Sequence, residues 1–335
     1  MKWILGILAA LALLVVGLFT VPLYKEPPID PAWSVEGSQT IPAGAVTARF
    51  PGTSTLLFTD GSSNIMIDGW FSRPTPFALA FGKIEPNLDA ITYGLAANNV
   101  STLDVVIPVH SHYDHAMDSP EVAKRTGAVL LGSESTANIG RGWGLAESQI
   151  QVFEHRVPVQ IGNFTITAFE SRHFEFPDPT MREQALGNPA ITEPLVPPAG
   201  AFDYRVGKAY VLHFAHPQGS FAVVGSAGFI EGDLQGVQAD MVFLGVGGLG
   251  SQTDTYRETY WAETVDTLAP HTVIPIHFDG LTAPITGPWR GPSLLMAMLS
   301  SGSENTLSFL QGKAAAAGAP AFKILPRYDA VVLFD

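Results

Sequence analysis

Cysteine is absent from this 335-residue sequence, so disulfide bonds, thiolate metal ligands and a cysteine nucleophile are all excluded. Positive charge is also scarce. The 18 Lys and Arg residues stand against 31 Asp and Glu residues, which gives a formal net charge of −13. A protein that binds nucleic acid needs clustered basic residues to neutralise phosphates, so we expect no nucleic-acid partner.

Hydrophobic residues are plentiful. They make up 46% of the chain and charged residues only 15%, and the mean hydropathy is +0.21. With 10% aromatic residues, such a chain must bury apolar surface, which excludes a disordered protein. The length allows one large domain or two ordinary ones.

Part of this hydrophobicity lies in one uncharged run, Trp3–Tyr24, which Lys2 precedes and Lys25 follows. A run of about 20 apolar residues can cross a bilayer as a helix, whereas the apolar part of a secretory signal usually has about 7–15. We predict that residues 1–24 form a membrane anchor that leaves the rest of the chain on the extracytoplasmic side, periplasmic or extracellular. A cleaved signal sequence followed by secretion is the alternative.

The rest of the chain is predicted to be a proline-rich extended spacer, 25–42, followed by one domain, 43–335. Strand-like runs arrive in groups with helical segments between them, which favours an α+β sandwich of sheets covered by helices. Residues 175–207 form a proline-rich insertion with little periodicity, and loops of this length are usually functional or mobile.

The strongest local signal is the sequence HSHYDH, directly after the β-branched run LDVVIPV. Imidazole nitrogens and carboxylate oxygens are the preferred ligands of zinc and similar divalent metals. At an extended strand end, His110 and His112 point the same way and could bind one ion. After the chain turns, Asp114 and His115 could reach a second ion.

This motif matches the H-x-H-x-D-H signature of the metallo-β-lactamase fold superfamily, and the resemblance covers about Ala45–Phe278. The segment that ends in Asp68 and Gly69 resembles the opening strands of that family. The resemblance implies an αββα sandwich, in which two mixed β-sheets are flanked by helices. It also makes Asp68 a candidate to hold a ligand imidazole in its tautomer.

The resemblance implies a ligand set as well. His173 is expected as the third ligand of the first metal and His277 as the last ligand of the second. The predicted metal ligands are therefore His110, His112, Asp114, His115, His173 and His277. Zinc is the expected metal, as one or two ions, with other divalent metals as alternatives.

The sequence departs from the family at one position. Ser226 stands where the family usually has an aspartate that bridges two metals. The set thus resembles the β-lactamase subclass whose second zinc is held by Asp-His-His. Loss of a bridging anion should weaken the second metal, so states with one and with two ions both remain open.

The expected function is a hydrolase that uses metal-bound hydroxide on an ester, lactone, amide or phosphodiester, with Asp114 as the catalytic residue that orients the nucleophile. A β-lactamase and a metal-binding protein without activity are the alternatives. An iron-dependent redox protein is disfavoured because no flavin-binding region is present. The oligomeric state stays open.

The insertion begins directly after His173 and contains apolar residues such as Phe176 and Phe202. We therefore expect it to form a lid or wall for a partly hydrophobic small-molecule or lipid-like substrate. Tyr113 is expected in the core rather than in a substrate pocket. The remaining histidines, which lack a motif, are expected to be structural: His155, His213, His216 and His271.

Overall fold

The computed structural model describes Trp3, residues 23–299, Gly302 and residues 304–335. Most of the predicted anchor, residues 1–24, lies outside the described residues. Within the part of the chain that the structure describes, no helix is both long and apolar enough to cross a bilayer.

The first sheet has seven strands in the order β14-β1-β2-β3-β4-β5-β6. The strands from β14 to β3 pair antiparallel and those from β3 to β6 pair parallel. Their bounds are β1 Val46–Gly52, β2 Thr55–Thr59, β3 Asn64–Ile67, β4 Val105–Ile107, β5 Val129–Gly132, β6 Ile150–Val152 and β14 Val331–Phe334.

The second sheet also has seven strands, in the order β13-β12-β11-β10-β9-β8-β7. Strands β7 to β10 pair antiparallel and strands β10 to β13 pair parallel. Their bounds are β7 Pro158–Ile161, β8 Phe164–Ser171, β9 Ala209–His216, β10 Gly219–Val224, β11 Met241–Gly245, β12 Thr272–Ile276 and β13 Ala321–Phe322.

Short helices connect the strands. Their bounds are α1 Pro76–Phe81, α2 Leu88–Ala97, α3 Tyr113–Ala116, α4 Ser119–Thr126, α5 Glu134–Gly142, α6 Pro179–Leu186, α7 Asp254–Trp261, α8 Leu294–Leu299 and α9 Asn305–Ala314. A π-helical turn, Ala262–Asp266, continues α7. Side-chain caps begin several of them: the amide oxygen of Asn87, for example, accepts hydrogen bonds from the first turn of α2.

The main core lies between the two sheets. Phe58 of the first sheet is completely buried there and packs against three phenylalanines of the second sheet: Phe214, Phe221 and Phe243. A second apolar cluster lies under α2 and α4, on the outer face of the first sheet. The expected αββα sandwich of two mixed sheets is therefore confirmed.

The helix α5 was not predicted from the sequence, because its Gly, Asn and Thr residues are weak helix formers. The hydroxyl of Ser133 accepts a hydrogen bond from the N–H of Thr136 and caps its first turn. A turn separates β6 from β7.

The proline-rich segment 25–42 packs along the domain and is not an extended stalk. The N–H of Lys25 donates to the carbonyl oxygen of Pro292 at 3.0 Å. A 3₁₀ turn, Pro31–Trp33, then places the indole of Trp33 on the ring of Phe322, with centroids 4.7 Å apart. Burial of aromatic surface thus outweighs the extended preference of the prolines.

Candidate metal centre

The predicted site residues meet at one edge of the sandwich, where strands from both sheets end. His110 and the helix α3 follow β4 of the first sheet. His173 follows β8 and His277 follows β12, both in the second sheet. The side chains form two groups. Within each group, the possible ligand atoms lie within 4.8 Å of one another.

The first group consists of His110, His112 and His173. Nε2 of His110 lies 3.1 Å from Nδ1 of His112. The imidazole of His173 stands edge-on to both, with ring centroids 5.1 Å from His110 and 4.8 Å from His112. The three rings therefore surround one point.

Backbone carbonyls fix two of these rings. Nδ1 of His173 donates to the carbonyl oxygen of Phe174 at 2.8 Å, which leaves Nε2 without a proton. Nε2 of His112 lies 3.3 Å from the carbonyl oxygen of Ala185 in α6 and donates to it. The insertion thus supplies the hydrogen-bond acceptor for Nε2 of His112, and Nδ1 of His112 faces the other histidines of the first group.

The second group consists of Asp114, His115 and His277. Oδ2 of Asp114 lies 3.2 Å from Nε2 of His277 and 3.5 Å from Nε2 of His115. Asp114 and His115 stand on α3, and both are buried. The short helix turns them away from His112 toward the end of β12.

The other nitrogen of His115 has two partners. Nδ1 lies 2.9 Å from Oδ2 of Asp68 and 3.0 Å from the hydroxyl oxygen of Ser54. The other carboxylate oxygen of Asp68 accepts from the N–H of Val109 at 2.9 Å. The contact that the sequence predicted for Asp68 is therefore present, and it leaves Nε2 of His115 facing Asp114.

Burial decides the charge of the first group. It lowers the pKa of His112 to about 4 and the pKa of His173 well below its ordinary value. The same cause lowers the pKa of His110 well below its ordinary value. At neutral pH the three imidazoles are therefore uncharged, which is the state that binds a metal.

The second group contains one carboxylate, and a second carboxylate, that of Asp68, lies against it. Burial opposes ionisation of Asp114, but the neighbouring His115 and His277 hold its pKa below the usual range. Burial also opposes charge on His115, yet the carboxylates of Asp68 and Asp114 raise its pKa. Two carboxylates thus lie on either side of one imidazole.

A divalent cation fits this arrangement of donors. In the first group, Nδ1 of His112 and Nε2 of His110 lie 3.1 Å apart, so two potential ligand atoms converge. In the second group, a carboxylate oxygen and two imidazole nitrogens converge in the same way. Zinc and iron both accept such nitrogen and carboxylate ligands.

Ser226 follows β10 and is largely buried. Its hydroxyl donates to the carbonyl oxygen of Arg172 at 3.2 Å, next to His173. Asp233, the next acidic residue along the chain after Glu231, forms an ion pair with Arg156 instead. In the described residues, neither candidate group therefore includes an acid from this segment.

The glycine-rich turn after β11 packs against the site. A side chain at Gly247 would place its Cβ 2.5 Å from Nδ1 of His277, so only glycine lets the turn approach this ring. The turn thus packs against the second group and carries no phosphate-binding pattern.

Residues predicted to be structural lie outside both groups. Tyr113 packs edge-on against Trp70 in a cluster beside the site, with ring centroids 6.0 Å apart. His216 is buried 3.5 Å from Asp60 at the far end of the sheets. His213 donates to the carbonyl oxygen of Gln238. His155 and His271 are absent from the two groups found among the described residues.

Two residues that contact candidate ligands were not predicted from the sequence. Ser54 contacts His115, and the carbonyl oxygen of Ala185 contacts His112. The first pair is separated by 61 residues and the second by 73. No local pattern links residues so distant, and a backbone carbonyl leaves no trace in residue type.

The domain matches known proteins. Residues 47–277 match the model of the family described as beta-lactamase superfamily domain. No curated protein matches the chain.

The chain is similar to solved structures. A metallo hydrolase from the archaeon Ignicoccus hospitalis, Igni18, is 15% identical, with a TM-score of 0.53, over 87% of this chain and 99% of that one. An isothiocyanate hydrolase from Delia radicum gut bacteria is also 15% identical, with a TM-score of 0.49, over 87% and 99% of the two chains. Because the family model spans well over half of the sequence, the chain belongs to the beta-lactamase superfamily domain family.

Proposed function

We propose that this protein is a metal-dependent hydrolase that acts on an ester, lactone, amide or phosphodiester bond. The observation that carries the proposal is the convergence of five imidazoles and one carboxylate in two adjacent groups. His110, His112 and His173 would hold one ion, and Asp114, His115 and His277 a second. Zinc is the proposed metal, because the nitrogen and oxygen ligands that these side chains offer suit it.

A bound ion would supply a Lewis acid and lower the pKa of a water molecule, by which metallohydrolases obtain a nucleophile at neutral pH. The side chains of the protein would position the water molecule and the metal ligands. Asp114 lies between His112 and His115 along the chain, and its carboxylate would orient the attacking water. Asp68 and Ala185 fix the tautomers of His115 and His112, so that their free nitrogens face the centre.

The insertion supports a partly hydrophobic substrate. It runs from the end of β8 beside His173, and α6 lies over His112. Its side chains Val196 and Phe202 are 66% and 40% exposed. We propose that this segment forms an apolar wall for a small-molecule or lipid-like substrate. An extracytoplasmic location, with residues 1–24 in a membrane, is part of the same proposal.

The test combines metal analysis with a substrate panel. The purified full chain is expected to contain zinc and to hydrolyse at least one member of a panel of lactones, β-lactams, esters and phosphodiesters. Turnover should be lost in His112→Ala and kept in His213→Ala, whose histidine lies outside the centre. Hydrolysis that is selective for β-lactams would assign the β-lactamase alternative. A bound metal without turnover would contradict the hydrolase proposal and favour a non-enzymatic metal-binding protein.

A further inference from the structure

The second group contacts a turn that takes no part in the proposed reaction. This turn, Gly52–Thr55, joins β1 to β2. The hydroxyl oxygen of Ser54 lies 3.0 Å from Nδ1 of His115. The carbonyl oxygen of Thr53 accepts a hydrogen bond from the N–H of His277. Two successive residues of one turn therefore contact both histidines of the group.

Buried polar contacts hold the turn in an unusual conformation. Thr53 has φ 57°, a left-handed value that is rare for a β-branched residue. Its N–H donates to Oδ1 of Asp279 at 2.6 Å, and its hydroxyl accepts from Nη2 of Arg73 at 3.2 Å. Thr53 and Ser54 are both completely buried. A strained backbone conformation persists only where surrounding contacts hold it. Contacts within the protein, rather than a bound ion, therefore fix the conformation of this turn.

Gly52 allows the same contacts. Its φ is 136°, and a Cβ there would lie only 2.7 Å from Oδ2 of Asp279. A larger residue would push Asp279 away from the N–H of Thr53. The geometry of the turn thus depends on residues that contact no candidate metal directly.

The first group has weaker support. Nδ1 of His110 is buried and has no hydrogen-bond partner among the described residues. The partner of His112 is a carbonyl of the insertion, at 3.3 Å. Only the ring of His173 is fixed by an adjacent residue, Phe174.

The two groups also differ in charge. Asp114 is a member of the second group, and Asp68 contacts His115 directly, so two buried carboxylates lie within or against it. The first group consists of three imidazoles and contains no carboxylate. A dication is attracted more strongly to the group that contains one carboxylate and contacts another, because Coulombic attraction grows as charges are buried.

We propose that the turn Thr53–Ser54 preorganises the group Asp114, His115 and His277, which therefore binds the first divalent cation, and that Ser54 is a positioning residue of that group. This inference rests on the proposed metal-dependent function. With serine at position 226 instead of a bridging acid, the first group gains no added charge and binds its ion second.

The order of binding is tested on the full-length protein after its metal has been removed by a chelator. Co²⁺ and Zn²⁺ are titrated in, with binding followed by calorimetry and by the visible absorption of Co²⁺. In His277→Ala the tight first equivalent should be lost. In His173→Ala the first equivalent should be kept and the weaker second one lost. A first equivalent that depends on His173 and not on His277 would overturn the inference.

Failure of the proposed function looks different. If the wild-type protein binds neither ion, the metal-dependent function fails, and this inference fails with it. If both ions bind but their order is reversed, only the inference fails. Absence of turnover with ordered binding leaves the inference intact and contradicts the hydrolase alone.

The role of Ser54 is tested with a matched pair of buried serines. Ser54→Ala should weaken the first equivalent about 10-fold, as expected for loss of a contact behind a ligand, and leave the second unchanged. Ser63→Ala, in the turn between β2 and β3, should change neither. Thermal unfolding of the metal-free proteins shows whether each variant folds.

Asp279→Asn is the second variant, because it keeps the shape of the side chain while weakening the contact to Thr53. It should lower the affinity for the first equivalent selectively. Unchanged affinity in both Ser54→Ala and Asp279→Asn would show that the turn does not position the group. The d–d absorption of the first Co²⁺ should also shift in Ser54→Ala, a change that a loss of stability alone does not produce.

Discussion

Asp68 and His115 form a buried pair in which the carboxylate Oδ2 lies 2.9 Å from the imidazole Nδ1. The exposed fraction is 0% for Asp68 and 1% for His115. Because Oδ1 of the same carboxylate accepts from the N–H of Val109, one side chain fixes both the end of the strand before the motif and an imidazole within it. The position of the second group is therefore linked to the backbone of the first sheet.

Replacing this carboxylate should weaken metal binding. We expect Asp68→Asn to lower the affinity of the second group for Zn²⁺ by about 10–100-fold, the usual effect of removing a residue that orients a metal-binding histidine. Competition with a chromophoric chelator measures the change. Asp240→Asn is the control, since Asp240 contacts Ser220 at the opposite end of the second sheet. Equal affinities in the two variants would contradict this role of Asp68.

Removing a candidate ligand should have a larger effect. His112→Ala deletes an imidazole of the first group, and we expect its loss of turnover to exceed the roughly 100-fold upper range for residues behind the ligands. Steady-state kinetics on the best substrate of the panel, together with the metal content, measures it. A variant that keeps full metal content and turnover would show that His112 is not a ligand.

The stability of the metal-free protein should depend on the pH through His112. Burial lowers its pKa from 6.5 to about 4, so the unfolded chain binds a proton more readily than the folded one. This histidine therefore stabilises the fold least at low pH, and the free energy of unfolding should fall as the pH decreases from 6.5 to 4. Urea unfolding of the metal-free protein at several pH values measures the slope.

The matched variant is His112→Gln, in which this part of the slope should disappear. Asp118 acts in the opposite sense, since burial raises its pKa to about 6 against the hydrogen bonds from Ser72 and Phe71. Its contribution is common to both proteins and cancels in the comparison. An identical slope in wild type and variant would contradict the assignment to His112.

The apolar wall should affect substrate choice. We expect Val196→Ser combined with Phe202→Ser to raise the KM for an octanoyl ester severalfold, because apolar contact area is lost. The KM for the matching acetyl ester should not change, since a short acyl group does not reach the wall. A parallel change in both KM values would indicate a general distortion of the site and contradict the proposal.

The contact between the sheets can be tested independently of the site. Phe58→Ala should lower the free energy of unfolding by about 3–5 kcal/mol, because it leaves a cavity among three phenylalanine rings. Val157→Ala, at a side chain that is 46% exposed, should change it by less than about 0.5 kcal/mol. Chemical denaturation measures both. Similar losses in the two variants would contradict the central position of Phe58.

The features that could be predicted from the sequence are those that residue type and periodicity determine. The β-branched run before His110 indicated a buried strand, and the motif that follows brought four candidate ligands within six residues. The resemblance then added His173 and His277, which lie at strand ends as expected. Both groups could be assembled from these positions, because parallel strands end at the same edge of a sheet.

Contacts between distant parts of the chain could not be predicted in the same way. The packing of Trp33 on Phe322 depends on tertiary structure, while the surrounding prolines locally favour an extended chain. The contact of Ser54 with His115 depends on a left-handed Thr53, a conformation that nothing in its residue type favours. Such features follow from the assembled fold and not from local propensity.

Each candidate group takes its members from both sheets. His110 and His112 follow β4, and their partner His173 follows β8 of the opposite sheet. Asp114 and His115 are completed by His277 after β12 in the same way. In a chain without cysteine, a bound ion would therefore act as a cross-link between the two halves of the sandwich. Removing the ion would weaken the contact between the two sheets at this edge first. The phenylalanine core around Phe58 would still hold the sheets together.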